Sequence, residues 1–452
     1  MIVKPPAIPL RPGHALGEII RNEPKEKIMD YLEWHSVVDP KGRYLPYDQF
    51  RHRLAPGVKA DLAWGLLKES RRKVRSFLLQ VGEDIEPCSF VLTPTIQKAM
   101  SVVDRNTTNA VLEAMSDKIG ERENFNYLLN DLIEDEAISS SQLEGAATTT
   151  LVAREMLKRQ RKPRTPDEKM IIGNFKMMNF AWEKRHEPLS TDLILELHQL
   201  GVEDIDDDKY TPGVFRKTDD VYIADSDGEI VHTPPIAINI EERLNKVVAW
   251  VNECHDDAES RGYIHPLVKA VSLHFSIGYE HPFRDGNGRV ARSLFYWYMF
   301  KSEYAAFRYI AISTLLKKAP SKYGKSYLYT ETDDMDLTYF IDHQCAIILR
   351  AIKSFKDSYK KTLSEKEEFD LWMYKSGLFG KLSERQKAVF LAAKHGLDFV
   401  FTASSVKSNL GCSYNTASSV LKGLSDLGLF TRSKEGREWV YQMVDPQILR
   451  NK

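Results

Sequence analysis

His281-Pro282-Phe283-Arg284-Asp285-Gly286-Asn287-Gly288-Arg289-Val290-Ala291-Arg292 is the stretch on which the fold turns. An apolar helical pattern runs from Pro266 to Tyr279 and stops here. Pro282 lacks the N–H that would continue the ladder, and its ring clashes with the preceding turn. Asp285-Gly286-Asn287-Gly288 is turn chemistry, tolerant of positive φ. A second apolar pattern, Asn287 to Tyr304, follows at once. Two buried helices joined by a glycine-rich bend predict a mainly α core.

The bend is also suited to chemistry. Unpaired N–H groups and the helix dipole favour an anion at a helix N-terminus. Gly286, Asn287 and Gly288 let phosphates approach the backbone closely. Arg289 and Arg292 stand three apart and so share one helix face. Two guanidinium forks beside an N–H nest describe a polyphosphate site. Asp285 is an oxygen donor suited to Mg²⁺, which takes one or two carboxylates plus substrate phosphates. His281 lies at the mouth, and an imidazole with an ordinary pKa of about 6.5 suits a general base. Taken singly, a histidine is more often structural, a Gly-Asn-Gly more often a plain turn, and an arginine pair more often a solvated face. Twelve residues holding all of them are hard to explain by packing.

Outward from the bend, 452 residues leave room for two or three domains. The formal net charge of -1 gives no whole-chain field for nucleic acid or membrane. The four cysteines are scattered with no CxxC, which argues against a zinc site or a disulfide framework and fits a reducing, cytoplasmic setting. Met1 to Leu10 holds three prolines and no apolar run, so it is not a signal peptide. No apolar stretch is long enough to span a bilayer, and no membrane association is expected.

The first fifty residues are rich in proline and charge, with weak periodicity, and read as a segment that covers a surface. Leu62, Trp64, Leu66, Leu67, Val74, Phe77 and Leu78 then fall near helical spacing. Residues 93 to 160 read as helices, with Leu128, Leu129, Leu132 and Ile133 leading to a helix end at Gly145. Thr165-Pro166 and Ser190-Thr191-Asp192 are further helix starts. Val221-Tyr222-Ile223 and Glu229-Ile230-Val231-His232 around Asp225-Ser226-Asp227-Gly228 predict a β-hairpin. Tyr359 to Leu378 reads as a charged helical connector, and the texture changes after Gly380.

The twelve-residue string resembles the signature of the Fic family, HxFx(D/E)GNGRxxR, and matches it at every fixed position. His265-Pro266 before the first helix and Pro212-Gly213-Val214-Phe215-Arg216 before the hairpin also look like family features. The resemblance covers roughly residues 90 to 330. It implies a Fic-type helical core over 91–375, an N-terminal extension over 1–90, an inhibitory helix at about 125–150 and a flap at 211–235.

It further implies transfer of AMP from ATP to a Ser, Thr or Tyr hydroxyl of a protein target. In that role His281 takes the hydroxyl proton, and Asp285 holds Mg²⁺ across the α- and β-phosphates. The N–H groups of Gly286, Asn287 and Gly288 stabilise phosphate charge. Arg289 and Arg292 hold the β/γ end, while Phe283 anchors the loop. Tyr222 and Ile223 of the flap dock the target by strand addition. Ser140-x-x-x-Glu144-Gly145 matches the family's inhibitory motif, (S/T)xxxE(G/N), so a Glu144 carboxylate pairing with Arg292 implies autoinhibition in cis. Removal of AMP and self-modification belong to the same expectation. Candidates for the adenine end are Tyr323 and Lys325.

Residues 380–452 carry eleven Lys or Arg against six Asp or Glu, a local excess of five positive charges. Helical patterns at Ser383–Lys394, Ala403–Leu410 and Ser413–Leu427, then β patterns at Phe430–Arg432 and Trp439–Tyr441, predict a winged helix-turn-helix. Such a module contacts DNA through its third helix and wing. The third helix holds just Lys422, however, and a protein-contact or dimerisation module is the other reading. Two functional alternatives stay open: a Fic enzyme transferring another phosphate-linked group, such as UMP or phosphocholine, and a DNA-binding regulator whose core senses nucleotide.

Overall fold

The computed structural model describes residues 2–8, 13–83, 87–119, 122–159, 161–207, 210–224, 228, 230–256, 262–394, 400–435 and 438–444, with the side chains of 122–127, 130 and 131 left aside. The fold is mainly α, with three small antiparallel sheets among the described residues. The chain divides into two compact units.

The first unit comprises Met1–Asp104, Met177–Ser302 and Leu315–Leu349. At its centre the helices Pro266–Glu280 and Asn287–Lys301 pack along each other across the bend. Both are buried all round, from Pro266 to Ile277 and from Arg289 to Phe300, as a helix without a polar face must be. Their starts follow from sequence. Pro266 occupies the first turn, and the His265 ring accepts from the Leu267 N–H at 3.0 Å. The helix Thr191–Val202 packs on the second of the pair and Ile240–Asn252 on the first. Ser190 caps Thr191–Val202 by accepting from Leu193 N–H at 3.0 Å.

The N-terminal segment is more ordered than its weak periodicity suggests. The helices His14–Asn22, Ile28–Leu32 and Ala60–Val74 enclose Tyr31, Trp34, Phe50 and Trp64. A buried polar network ties the segment to 333–339. Lys68 pairs with Asp333 at 2.7 Å, Arg71 donates to the Tyr339 hydroxyl at 2.9 Å, and the Tyr44 hydroxyl donates to Asp336 at 2.5 Å. The Arg71 guanidinium also lies 3.5 Å over the Tyr44 ring. Each buried charge thus has a partner, as burial demands.

The second unit comprises Arg105–Lys176, Glu303–Thr314 and Arg350–Lys452. The helix Arg122–Leu143 packs on Thr150–Lys158 through Ile138, Ala153, Met156 and Ile171. It also packs on Glu384–Lys394 and Ala403–Leu410. These two helices, with Tyr414–Asp426, share an apolar core that includes Val389, Phe390, Val406, Leu421 and Leu424. A three-stranded antiparallel sheet completes the module, with Glu438–Met443 between Phe401–Thr402 and Phe430–Glu435. Thr402 and Ser405 form a reciprocal capping box, Gly411 turns the chain at φ 58, and Ser413 caps the third helix. Residues 436 and 437, between the last two strands in the chain, lie outside the described residues.

Candidate active site

The first helix of the central pair ends on His281, which adopts the left-handed conformation at φ 46, ψ 58. A non-glycine residue holds that conformation only when its surroundings enforce it. Several contacts do so here. The Arg216 N–H donates to the Pro282 carbonyl at 2.8 Å, and its Nε donates to the His281 carbonyl at 2.9 Å. Glu280 is fully buried, paired with Arg243 at 2.8 Å and accepting from the Gly82 N–H at 2.5 Å. The His281 side chain sets its own tautomer. Its Nδ1 lies 3.2 Å from the Gly278 carbonyl. A carbonyl can only accept, so Nδ1 carries the proton and Nε2 keeps its lone pair. Gly278 serves a second purpose, because a Cβ at that position would overlap the Tyr327 hydroxyl.

The bend is held by its own side chains. Asn287 accepts from the Phe283 N–H and donates to the Phe283 carbonyl, both at 2.8 Å. Gly286 stands at φ 84, and its N–H donates to the Asp285 carboxylate at 2.5 Å. The first backbone bond of the new helix runs from the Val290 N–H to the Gly286 carbonyl at 3.1 Å. The N–H groups of Asn287, Gly288 and Arg289 therefore have no acceptor in their own helix. Phe283 is fully buried and stacks on His198 at 3.8 Å between ring centroids. His198 accepts from the Gly213 N–H at 3.1 Å and so donates from Nε2 to the Asp285 carbonyl at 3.0 Å. Burial holds its imidazole down at about 4, so it stays neutral.

The two arginines turn to different neighbours. Arg289 donates from Nη1 to the Gly201 carbonyl at 2.9 Å and lies 5.7 Å from the Tyr210 ring centroid. Its guanidinium packs beneath Gly286, where an added Cβ would meet Nη2 at 3.3 Å. Arg292 is equally buried on the same helix. Burial first, and the charge of Arg292 second, press His274 down to about 3. The His274 Nε2 lies 2.8 Å from the Tyr323 hydroxyl, which occupies that tyrosine's polar end; Lys325 is exposed. Asp285 is half-exposed at the bend mouth. Among the described residues no group of three or more His, Cys, Asp or Glu could hold a metal by itself. A single carboxylate beside a phosphate nest fits Mg²⁺, which completes its shell with phosphate oxygens and water.

The remaining expected residues lie elsewhere. Ile223–Ala224 pairs with Ile230–His232, with Ile223 opposite His232; Tyr222 precedes the first strand and is 58% exposed. The turn residues Asp225, Ser226 and Asp227 lie outside the described residues. Ser140, Glu144 and Gly145 belong to the second unit. There Gly145, at φ 99, closes Arg122–Leu143. The Ala146 N–H reaches the Ser141 carbonyl and the Gly145 N–H reaches that of Gln142, each at 3.1 Å, the Schellman pattern. Ser140 is buried and Glu144 exposed. Sequence reading missed His198, His274, Arg243 and Glu280 as parts of the site. Each sits singly within an apolar helical stripe, where its type says nothing about which way it faces.

Part of the chain is similar to known proteins. Residues 188–299 match the family described as Fic/DOC. Protein adenylyltransferase fic-1 of Caenorhabditis elegans is 34% identical over 119 residues, 26% of this chain and 21% of that protein. The Uridine 5'-monophosphate transferase of Xanthomonas campestris pv. campestris (strain 8004) is 28% identical over 119 residues, 26% of this chain and 22% of that protein. The chain thus spans about a fifth of the length of these relatives. The crystal structure of a Fic family protein from Desulfovibrio desulfuricans G20 aligns over 81% of this chain and 98% of its own, at 16% identity and a TM-score of 0.47. Among the described residues no helix is long and apolar enough to cross a membrane.

Proposed function

We propose that the chain is a protein adenylyltransferase that moves AMP from ATP to a Ser, Thr or Tyr hydroxyl and is held in check by its own Ser140–Gly145 motif. The observation that carries this reading is the tautomer of His281. Its Nδ1–H is donated to the Gly278 carbonyl, which makes Nε2 the basic nitrogen of the ring, beside the N–H groups that open the next helix. In the reaction Nε2 takes the proton of the target hydroxyl. The hydroxyl oxygen attacks the α-phosphorus, the bond from that phosphorus to the bridging oxygen breaks, and pyrophosphate leaves. The N–H groups of Asn287 and Gly288 stabilise phosphate charge, while that of Gly286, expected to do the same, is taken by the Asp285 carboxylate. Arg292 holds the terminal phosphates. Arg289, bonded to Gly201, braces the bend from beneath as a positioning residue. Asp285 is the residue that would hold Mg²⁺, and the ion would offset phosphate charge. Tyr222 and Ile223 form the edge on which an extended target segment pairs.

The test is labelling from [α-³²P]ATP with Mg²⁺ in lysate, comparing the parent chain, Glu144→Gly and Glu144→Gly with His281→Ala. We expect labelling to rise in the first variant and vanish in the second, with target proteins and this chain gaining the mass of AMP. No label in Glu144→Gly rejects the transfer reading. Equal label in the parent and Glu144→Gly rejects the inhibitory role alone. Loss of AMP from a labelled target on incubation with the parent chain would add the reverse activity. The relative named for uridine monophosphate transfer supports one competing reading, UMP as the group moved. Stronger labelling from [α-³²P]UTP than from ATP would select it. For 380–452 the reading is a winged helix contacting duplex DNA or a protein, and salt-dependent duplex binding decides between them.

A further inference from the structure

The flap and the base are joined by one side chain that neither the bend nor the flap motif contains. His232 is the last residue of the flap's second strand and sits directly opposite Ile223. It is 7% exposed. Its Nδ1 lies 2.9 Å from a Glu331 carboxylate oxygen on the helix Pro320–Thr332. Its Nε2 lies 2.9 Å from the carbonyl of Tyr279, two residues before His281. Neither partner offers a proton when Glu331 is ionised, so both ring nitrogens must donate. Only the imidazolium can do that. The ring also rests on that of Tyr279, centroids 5.1 Å apart.

Resting on the transfer reading above, we propose that His232, charged and bridging Glu331 to the Tyr279 carbonyl, is a positioning residue that makes the flap and the His281 turn move as one body. A target strand seated on Ile223 is then registered against the same helix end that presents the base. The groups facing His232 are Glu331 from one helix, and Tyr279 and Glu280 from the other, with Glu280 itself paired to Arg243. Burial acts against the charge, but Glu331, the Tyr279 carbonyl and Glu280 outweigh it and hold the imidazole above its ordinary range.

If His232 loses its proton, one acceptor is left unpaired and the flap is released. The consequence is a loss of transfer as pH rises through the His232 titration. The experiment measures transfer against pH for the full-length Glu144→Gly chain, alone and with His232→Gln or Glu331→Gln, alongside ATP binding at a fixed pH. We expect His232→Gln to remove the high-pH limb and lower kcat for the protein target by about ten- to a hundredfold, the scale of a misplaced catalytic group. ATP affinity should stay within about twofold, because the phosphate nest is untouched. Glu331→Gln should move the high-pH limb to lower pH. A ¹³C-histidine NMR titration, assigned with His232→Gln, should find this ring protonated at about pH 7. A neutral ring there, or superimposable pH profiles for all three proteins, overturns the proposal. Absence of transfer from every version overturns the function on which it rests, and the NMR titration then still decides the bridge.

Discussion

The two halves of this chain treat buried polarity in opposite ways. In the helix pair around the bend, Lys269, His274, Glu280, Asn287, Arg289 and Arg292 are all at least nine-tenths buried. Beyond residue 380, Ser405 is the only buried polar or charged side chain among those described, and it is a cap. Burying polar groups costs free energy unless each finds a partner. The bend bears that cost and holds an imidazole, a carboxylate and a row of N–H groups in place. The C-terminal module keeps its polar groups in water, as a folded platform does whose business is on its outside.

This contrast can be broken by substitution. The largest effect belongs to His281→Ala in the Glu144→Gly chain, with transfer expected to fall by about 10²- to 10⁴-fold. Thermal melts should move far less than activity, since the ring is half-exposed. In the C-terminal module the largest change should come from an apolar truncation. Leu424→Ala should cost about 2–5 kcal/mol by denaturant unfolding, through lost burial and the cavity left behind. Asn287→Ala tests the bend's own bookkeeping of donors and acceptors. It strands the Phe283 N–H and carbonyl and should cost about 1–3 kcal/mol, together with most of the transfer activity.

Acid should sharpen the same difference. His198 and His274 are held down at about 4 and about 3, below the ordinary 6.5. As pH falls from 6.5 the unfolded chain takes up protons that the folded one refuses. Stability therefore drops from about pH 6.5 towards about pH 4. Melting curves across that range should show the loss, and His198→Gln should flatten part of it. The smallest expected effect is Ser413→Ala, which removes one cap and should cost about 1 kcal/mol. A larger loss there would mean that the module's polar surface carries more of its stability than its contacts indicate.

Much of this was legible in the sequence because it is local. The bend, the proline stop, the glycine cap and the helix starts at Ser190 and Pro266 each follow from residues within a few positions of one another. The same holds for Thr402, Gly411 and Ser413 in the C-terminal module. What could not be read was long-range. Lys68 meets Asp333 and Tyr44 meets Asp336 across more than two hundred and fifty residues, so no spacing announces them. The aromatic core of the N-terminal segment was hidden by its short helices and prolines. Arg289 and Arg292 share a helix face by spacing, yet one is drawn to Gly201 and the other to the neighbourhood of His274. Side-chain length lets neighbours in sequence serve different layers of a site.

At Gly278, steric room and proton placement coincide. Its carbonyl selects which imidazole nitrogen is basic, and its bare α-carbon admits the tyrosine ring that crowds the opposite flank. Even a single methyl added there would overlap the Tyr327 hydroxyl, push the turn aside and disturb the contact that orients the imidazole. The electronic character of one ring can thus be altered from a neighbouring backbone position that carries no side chain of its own.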